Sequence, residues 1–327
     1  MSVLLDVKNL SVSFQVGKGK IYPVRNMNIQ IRKDEVVAVI GETGCGKSVF
    51  GNSILRLLPS NALVDGEVFL NGKDILRYSK EEYRKIRGRE ISAVPQSPVS
   101  SLDPMMRVGK QVEEALLVHE HPEKGEARNA VLKLFSRLHF RKGDEDYSRY
   151  PSQLSGGMCQ RVLIALGIIT HPQLIIVDEP TKGLDWALRG SVIDIFSQLK
   201  EEMECAMLLI THDIGVAYKL ADRIAVMYCG QIVEIGDRET ILFSPRHPYT
   251  KGLLDSMPSR GMHSMQGFSP ALTQLPQGCK FHPRCESACE RCRQEEPQLT
   301  GLSGEHQVRC FLADEKNWKR EEHLPCC

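Results

Sequence analysis

Eight consecutive residues have the types and spacing of a loop that binds phosphate groups. They are Gly41, Glu42, Thr43, Gly44, Cys45, Gly46, Lys47 and Ser48. The β-branched run 36–40 precedes them and a helix-permissive run 49–58 follows, which predicts a strand-to-helix turn. On such a turn glycine lets backbone N–H groups approach phosphate oxygens, and the positive end of the helix favours their charge. Lys47 would neutralise a nucleotide's phosphates and Ser48 would ligate its Mg2+; the alternative is a glycine-rich surface turn.

Two carboxylates stand at the end of a second apolar run. Residues 174–177 are typical of a buried parallel strand, and Asp178 and Glu179 follow directly. Burying a charge without a partner is strongly unfavourable, so two carboxylates at this point indicate a function. With Mg2+ and water present, Asp178 would reach the metal and Glu179 would polarise the attacking water as a general base.

A second pair of glycines begins another predicted helix. Ser155 occupies an N-cap position before Gly156 and Gly157, and the apolar run 162–169 follows. A helix N-terminus with bare glycine backbone can bind an anion, and the serine hydroxyl can donate to a γ-phosphate. A capped helix with a tight turn explains the same residues without a ligand, so both interpretations stay open at this point.

Two further polar residues follow predicted strands. Gln96 ends the strand that begins at Ile91, and His212 comes after the buried run 206–210. In open α/β sheets the carboxyl ends of the strands converge on the ligand crevice. A lone histidine at a strand end is usually structural, but His212 is the fourth polar group at such an end in this chain.

The elements that must position these residues begin with a predicted antiparallel hairpin. Apolar and polar residues alternate over 4–14 and again over 24–31, and the break 17–20 separates the two runs. Phe14 and Tyr22 stand near the turn, where an aromatic ring could stack on an adenine. Strand pairing or core packing is the more frequent role of either ring taken alone.

Composition and charge narrow the class of protein. The 327 residues are 42% hydrophobic and 25% charged, with 42 basic and 41 acidic side chains. These values are typical of a globular protein that has no overall field for nucleic acid or anionic lipid. No run approaches the roughly eighteen apolar residues of a membrane span, and residues 1–6 are too short for a secretory signal. We therefore expect a soluble cytoplasmic protein.

Taken together, these motifs resemble those of ABC-type ATPase subunits in order and spacing, over roughly residues 3–245. The stretch 154–157, Leu-Ser-Gly-Gly, separates this family from other P-loop proteins. The resemblance implies an α/β P-loop NTPase fold with an antiparallel β subdomain and a helical subdomain. Helical periodicity over about 99–150 agrees with such a helical insertion. The implied reaction is hydrolysis of ATP to ADP and phosphate with Mg2+ as a cofactor.

The resemblance also implies roles for single residues. Glu179, His212 and Gln96 would be catalytic, and Ser48, Gln96 and Asp178 would ligate Mg2+. The signature helix of this family completes the nucleotide site of a second subunit, so one P-loop and one signature imply a head-to-tail dimer that holds two ATP molecules. Outside the P-loop, the nucleotide would contact Phe14, Ser155, Gly156, Gly157 and Asp185.

The remainder of the chain narrows the subfamily. Residues 244–254 and 278–310 resemble segments that follow the ATPase core in importers of oligopeptides, dipeptides and nickel. We therefore divide the chain into an ATPase domain over 1–245 and a Cys-rich C-terminal extension over 246–327. The implied partners are a second ATPase subunit (a copy or a paralogue), two membrane-spanning permease subunits and an extracytoplasmic substrate-binding protein. The implied location is peripheral, at the cytoplasmic face of the membrane.

The cysteines are numerous for a reducing compartment, eleven in all, and their clustering near the C-terminus favours metal ligation over disulfides. The candidate ligands are Cys279, Cys285, Cys292 and Cys310, and Cys289 could replace Cys292. Five residues separate the first two and six precede the third, unlike the C-x2-C pairs of most structural zinc sites. The resemblance to some dipeptide-importer ATPases implies a [4Fe-4S] cluster, which four thiolates suit. Zinc and free cysteines are the alternatives.

Two other functions agree less well with the sequence than transport does. A soluble ABC ATPase that acts on ribosomes or nucleic acid usually has two cassettes or a long coiled coil and a basic face, none of which this sequence has. A regulator that binds ATP without hydrolysis would not need Glu179 and His212. Lys182-Gly183 and Cys159 depart from the family pattern without touching a phosphate or metal ligand, so we expect hydrolysis. Peptide and nickel both stay open as the cargo.

Overall fold

The computed structural model describes residues 2–17, 19–123 and 125–313. The β-strands, in chain order, are β1 (Val3–Val16), β2 (Gly19–Arg32), β3 (Val36–Ile40), β4 (Ala62–Leu70), β5 (Lys73–Asp74), β6 (Ile91–Val94), β7 (Leu174–Asp178), β8 (Ala206–Thr211), β9 (Arg223–Tyr228), β10 (Gln231–Asp237), β11 (Thr300–Ser303) and β12 (His306–Val308). The α-helices are α1 (Lys47–Ile54), α2 (Lys80–Ile86), α3 (Pro98–Ser101), α4 (Val108–His119), α5 (Glu126–Arg137), α6 (Asp144–Ser148), α7 (Gly156–Ile168), α8 (Trp186–Glu202), α9 (Ile214–Leu220), α10 (Arg238–Phe243), α11 (Pro248–Asp255) and α12 (Glu290–Gln294).

The chain divides into two compact units. The first unit holds the described residues of Met1–Leu4, Ile31–Val36 and Arg77–Ile210. The second unit holds those of Leu5–Gln30, Val37–Leu76 and Thr211–Cys327. The P-loop and the C-terminal extension therefore belong to the same unit. The boundary that we placed between residues 245 and 246 stays a prediction.

Parallel strands form the centre of the first unit. In register, β6 pairs with β7 from Ile91 opposite Leu174 to Val94 opposite Val177, and β7 pairs with β8 as far as Asp178 opposite Ile210. The first four residues of β7 are buried, as expected of a parallel strand that is covered on both faces. Because parallel strands end at the same edge, the polar residues that follow them lie at one edge of this sheet.

The predicted helical insertion is confirmed, since α3 to α6 occupy residues 98–148. Helix α4 contacts α5, α6 and α7, and it buries the apolar stripe Val108, Val112 and Leu116. The longest described helix, α8, has 17 residues, and no helix within the described ranges combines the length and the apolar character that a bilayer crossing requires.

The second unit begins with the predicted antiparallel hairpin. Strands β1 and β2 are neighbours in a four-stranded sheet of order β2-β1-β4-β5. The turn between β4 and β5 is Asn71-Gly72, with φ values of 48° and 77°. Two successive positive φ angles define a type I′ hairpin turn, which the Asn-Gly pair favours.

The remaining strands of the second unit join the P-loop strand to the extension. Strand β3 pairs in parallel with β9, β10 pairs antiparallel with β9, and β12 pairs antiparallel with β10. Strand β11 then pairs with β12 at the edge. The extension therefore adds two strands to the sheet that carries the P-loop, and the sequence pattern had not indicated these strands.

Replacing Gly109 by alanine should destabilise the first unit. The new Cβ would lie 2.1 Å from the ring of Tyr147, which is 1% exposed and cannot move aside freely. We expect the free energy of unfolding to fall by about 1–3 kcal/mol, measured by chemical denaturation. Gly190→Ala in α8 is the matched control, because no described heavy atom lies within 4 Å of its new Cβ. That control should gain about 0.5–1 kcal/mol from better helix propensity. Wild-type stability of Gly109→Ala would contradict the packing of α4 on α6.

Candidate nucleotide site

The P-loop is a tight turn whose glycines cannot be replaced without strain. Gly41 and Gly46 have φ values of 154° and 110°. A Cβ on Gly41 would lie 2.2 Å from the carbonyl oxygen of Met227, and a Cβ on Gly46 would lie 1.9 Å from that of Pro23. Backbone from β9 and β2 therefore presses on the loop from two sides. The glycines are needed for this close approach as well as for their dihedral angles.

The side chain of Lys47 folds back onto carbonyl groups of the phosphate loop. Its side chain is buried, and Nζ donates to the carbonyl oxygens of Gly41 at 2.8 Å and Glu42 at 3.1 Å. Helix α1 begins at Lys47, so Ser48 lies in its first turn, at the positive end of the helix dipole. Ammonium, hydroxyl and backbone N–H groups are thus gathered at one helix N-terminus, an arrangement suited to phosphate oxygens and their cation.

Two residues that sequence reasoning missed hold the second position of the loop. Glu42 forms an ion pair with Arg284, and its backbone N–H donates to the hydroxyl of Tyr249 at 3.0 Å. Both partners lie in the extension, in the segments 244–254 and 278–310 that the resemblance had singled out. Nothing in the local sequence around Glu42 indicates these partners, because they are more than 200 residues away along the chain.

In the first unit the predicted catalytic and metal-binding residues share one edge of the sheet. Asp178 is the last residue of β7, and Gln96 follows the end of β6 by two residues. The N–H of Glu179 donates to the carbonyl oxygen of Ile210 at 2.8 Å, which continues the ladder beyond β7. The structure thus brings Gln96, Asp178 and Glu179 to the carboxyl ends of adjacent strands, as the topology argument predicted.

Glu179 has an unusual backbone. It is 7% exposed and its φ is 49°, in the left-handed region that costs about 1–2 kcal/mol for a residue with a Cβ. Such a conformation persists only where the surroundings impose it, and residues of this kind cluster at functional sites. The strain supports a functional role for this carboxylate.

His212 directly follows the last residue of β8 and belongs to the second unit. It is exposed, and the chain turns away at once because Asp213 caps α9 by accepting from the N–H of Gly215 at 2.8 Å. The predicted position of His212 at a strand end is therefore observed. Its contact with a phosphate stays a prediction.

The signature residues form an exposed helix N-terminus. The Ser155 side chain accepts from the N–H of Met158 at 3.3 Å and caps α7, as predicted. Gly156 is exposed with no heavy atom near its Cβ position, whereas Gly157 packs against Leu188 of α8. Asp185 caps α8 by accepting from the N–H of Leu188 at 2.9 Å. The first turns of α7 and α8 are therefore adjacent, and Ser155 and Asp185 are both exposed to a ligand or partner from outside.

The remaining residues singled out in the sequence are the predicted adenine contact and the three departures from the family pattern. Phe14 is half-buried on β1, opposite Ala62 of β4, and its contact with adenine stays a prediction. Cys159 is fully buried in α7 with its thiol 3.6 Å from the carbonyl oxygen of Pro151, so this departure from the family pattern is a packing feature. Lys182 and Gly183 are exposed.

The four predicted cysteine ligands line one small cavity of the extension, together with His247 and Phe281. Their positions are Cys279, Cys285, Cys292 and Cys310. Burial raises the pKa of Cys292 and that of Cys310 to about 12, so these two thiols are protonated in the free protein. Cys289 does not line the cavity, although its Sγ lies 3.6 Å from that of Cys292. In the described ranges no three His, Cys, Asp or Glu side chains are arranged to hold a metal ion.

Four thiols around one cavity fit the donor set of an iron–sulfur cluster in kind and number, but their arrangement is not that of a preformed site. Cys326 and Cys327 lie outside the described residues.

Comparison with known proteins supports the assignment that these features suggest. Residues 24–182 match the family model described as ABC transporter, and residues 233–292 match the model of the oligopeptide/dipeptide transporter C-terminal region. The dipeptide transport ATP-binding protein DppD of Bacillus subtilis is 40% identical over 323 residues, which cover 97% of this chain and 96% of that protein. The oligopeptide transport ATP-binding protein OppD of Haemophilus influenzae is 36% identical over 321 residues, which cover 97% and 99%.

A solved structure of an ATP-binding cassette, a dimer in a post-hydrolysis state bound to ADP and Pi, matches with a TM-score of 0.65 and 28% identity over 72% of this chain and 99% of that chain. The fold and the site thus define an ATP-binding cassette with an antiparallel β subdomain and a helical subdomain. More narrowly, the chain belongs to the family of ABC transporter ATP-binding subunits of oligopeptide and dipeptide importers.

Lys47→Ala should abolish nucleotide binding. The change removes the positive charge that would neutralise the phosphates, and it removes the two hydrogen bonds to the loop carbonyl groups. Titration with a fluorescent ATP analogue measures the effect, and Lys219→Ala, which removes an exposed lysine of α9 in the same unit, is the control. Micromolar affinity retained by Lys47→Ala would contradict the assignment of the loop.

Proposed function

We propose that this chain is the ATP-hydrolysing subunit that energises peptide import, and that the residues described above carry out the hydrolysis. The observation that carries the proposal is the loop 41–48, with Lys47 held at a helix N-terminus by two carbonyl groups. A site of this kind binds the β- and γ-phosphates of a nucleotide. Membership of the importer family supports ATP as that nucleotide and peptide transport as the work it drives.

We propose the role of each residue from the resemblance to ABC-type ATPases, and the strand and helix ends at which the residues lie support these roles. The loop amides and Lys47 hold the phosphates, and Ser48, Gln96 and Asp178 would hold Mg2+. When bound, Mg2+ neutralises charge on the β- and γ-phosphate oxygens. Glu179 accepts a proton from water as the water attacks the γ-phosphorus, so the β–γ bond breaks and ADP and phosphate leave. His212 orients the γ-phosphate and the water.

A second ATPase subunit completes each site in this proposal. The signature residues Ser155, Gly156 and Gly157 lie at the start of α7, and the first two are exposed. The solved cassettes that this chain resembles are described as dimers. A head-to-tail pair, with a copy or a paralogue as the partner, would bring each exposed helix N-terminus to the ATP of the other subunit, so that ATP binding closes the dimer. Phe14 would stack on the adenine, and Asp185 would lie beside the phosphates.

The proposed partners are two membrane-spanning permease subunits and an extracytoplasmic substrate-binding protein, with this chain peripheral at the cytoplasmic face. The relatives named above are dipeptide and oligopeptide transport ATP-binding proteins, which favours peptides over nickel as the cargo. Balanced charge and a single cassette remain arguments against the alternative role on ribosomes or nucleic acid.

Glu179→Gln tests the proposed general base. The substitution keeps the size of the side chain and removes its basicity, so ATP turnover should fall about a hundredfold or more while ATP binding is retained. Phosphate release and nucleotide affinity are measured on the same preparation. Glu204→Gln, in an exposed loop of the same unit, should leave both unchanged. Turnover of Glu179→Gln at the wild-type rate would remove Glu179 from this role.

We also propose that the cysteine cavity binds a [4Fe-4S] cluster. Supporting this proposal, Cys279, Cys285, Cys292 and Cys310 line one cavity although they come from four separate points of the extension. When bound, the cluster would cross-link these points through iron–thiolate bonds and could exchange an electron.

Protein purified without oxygen should therefore be brown and contain iron and sulfide. Cys310→Ser should lose both, because one of four thiolates is removed. Cys205→Ser, at a half-buried cysteine of the first unit, should keep them. Elemental analysis separates the alternatives: stoichiometric zinc without iron would indicate a structural metal site, and absence of both metals would indicate free cysteines.

A further inference from the structure

The phosphate loop contains an acidic residue that its proposed ligand should disfavour. Glu42 is the second of the eight loop residues, and its side chain is 27% exposed. An unpaired carboxylate at this point would repel a triphosphate, because like charges a few ångströms apart near a protein surface repel each other strongly. It would also compete with the phosphates for Lys47. The loop therefore needs a cation that neutralises Glu42 and keeps it away from the phosphates.

Arg284 of the extension is that cation. Its Nη2 lies 2.9 Å from Oε1 of Glu42 and its Nη1 lies 3.0 Å from Oε2, which is the bidentate geometry that makes arginine–carboxylate pairs strong and directional. The Arg284 side chain is only 5% exposed, so solvent screens the pair weakly. The guanidinium carbon of Arg284 also lies 5.8 Å from the ring centres of both Tyr228 and Phe281.

Arg284 makes further hydrogen bonds besides the pair with Glu42. Nε donates to the carbonyl oxygen of Gln266 at 3.2 Å, and Nη1 also donates to Oγ of Ser269 at 3.2 Å. Ser269 itself hydrogen-bonds Glu42. A guanidinium with these partners has little capacity left to bind a phosphate directly. Its effect on a nucleotide must therefore act through Glu42.

Glu42 in turn is held through three groups, its N–H, its carbonyl oxygen and its carboxylate. Its N–H donates to the Tyr249 hydroxyl at 3.0 Å, its carbonyl oxygen accepts from Nζ of Lys47 at 3.1 Å, and its carboxylate meets Arg284. Burial raises the pKa of Glu42, but the hydrogen bonds of Arg284 and Ser269 and the charge of Arg284 outweigh burial, and the pKa lies below its ordinary value. The carboxylate is therefore ionised at neutral pH, and the pair is a full ion pair.

We infer that Arg284 is a positioning residue of the phosphate loop: it clamps the Glu42 carboxylate, which neutralises that charge and keeps it away from the phosphates and from Lys47. The inference rests on the proposed function of the loop in binding MgATP. It assigns to the C-terminal extension a part in nucleotide binding, in addition to any part in holding a metal centre. The clamp affects the binding of ATP and not the hydrolysis step. Its loss should therefore weaken the affinity for ATP more than it slows turnover.

The test uses the full chain and measures both nucleotide affinity and turnover. Arg284→Gln keeps hydrogen-bonding capacity but leaves Glu42 unneutralised, so the KM for ATP should rise about tenfold with kcat changed by less than about twofold. Adding Glu42→Gln to this variant removes the exposed negative charge, and the double variant should return to within about threefold of the wild-type KM. Arg291→Gln, at an extension arginine that pairs with Glu295 on the surface, is the matched control and should behave as wild type.

The outcomes separate this inference from the proposed function. Loss of binding in Lys47→Ala together with a wild-type KM in Arg284→Gln would overturn the clamp alone, and unchanged binding in both would overturn the loop assignment as well. An equal KM in Arg284→Gln and in the double variant would also overturn the clamp, because a merely structural role of Arg284 would not be relieved by neutralising Glu42. If Arg284→Gln does not fold, Glu42→Asp replaces it. That variant keeps both charges but shortens the acidic side chain by one methylene, so it should also raise the KM for ATP. A wild-type KM for Glu42→Asp would count against the clamp.

Discussion

The close approach of backbone to the phosphate loop is the constraint on which the rest of the second unit depends. The carbonyl oxygens of Met227 and Pro23 occupy the space where side chains of Gly41 and Gly46 would lie. The loop can therefore keep its shape without a ligand, because β9 and β2 are already in place around it. A loop shaped in advance presents its N–H groups to phosphate without first having to order itself, which favours tight binding. The loop and the strands around it are one structural element, although they come from distant parts of the chain.

The extension belongs to this element and is not an appendage. Strand β12 pairs with β10, and Nε2 of His306 lies 2.8 Å from the buried carboxylate of Glu234. Glu234 also accepts from the N–H groups of Arg246 and His247, at 2.6 and 3.0 Å. Burial raises the pKa of Glu234, but these hydrogen bonds outweigh it and the pKa is lowered. Burial lowers the pKa of His247 to about 4, which leaves that ring neutral in the same region. Loss of the extension would leave this buried carboxylate without its partners, which is costly, so the extension and the sheet should unfold together.

In the first unit, the charged residues of the proposed site lie at the ends of buried strands. Strand β7 is apolar until Asp178, and Glu179 follows in a strained conformation that a hydrogen bond to Ile210 helps to hold. Polar groups are confined to the strand ends because the faces of a parallel sheet are covered. At the N-termini of α7 and α8, which Ser155 and Asp185 cap, the first turns are adjacent because Gly157 lets Leu188 approach. Close packing of helices thus brings together two helix N-termini that are thirty residues apart in sequence.

The local features of this protein were determined by the sequence alone. The P-loop turn, the strands 36–40 and 174–178, the Asn71-Gly72 hairpin and the Ser155 cap each depend on residues within a few positions of one another, so residue type and spacing suffice to predict them. The pairing of Glu42 with Arg284 spans 242 residues, and the strands β11 and β12 are too short to have a recognisable period. The meeting of four cysteines at one cavity depends likewise on how the extension folds back. Only the tertiary structure decided these features, because a long-range contact is selected by the packing of whole elements, and many partners along a chain would satisfy the same local chemistry.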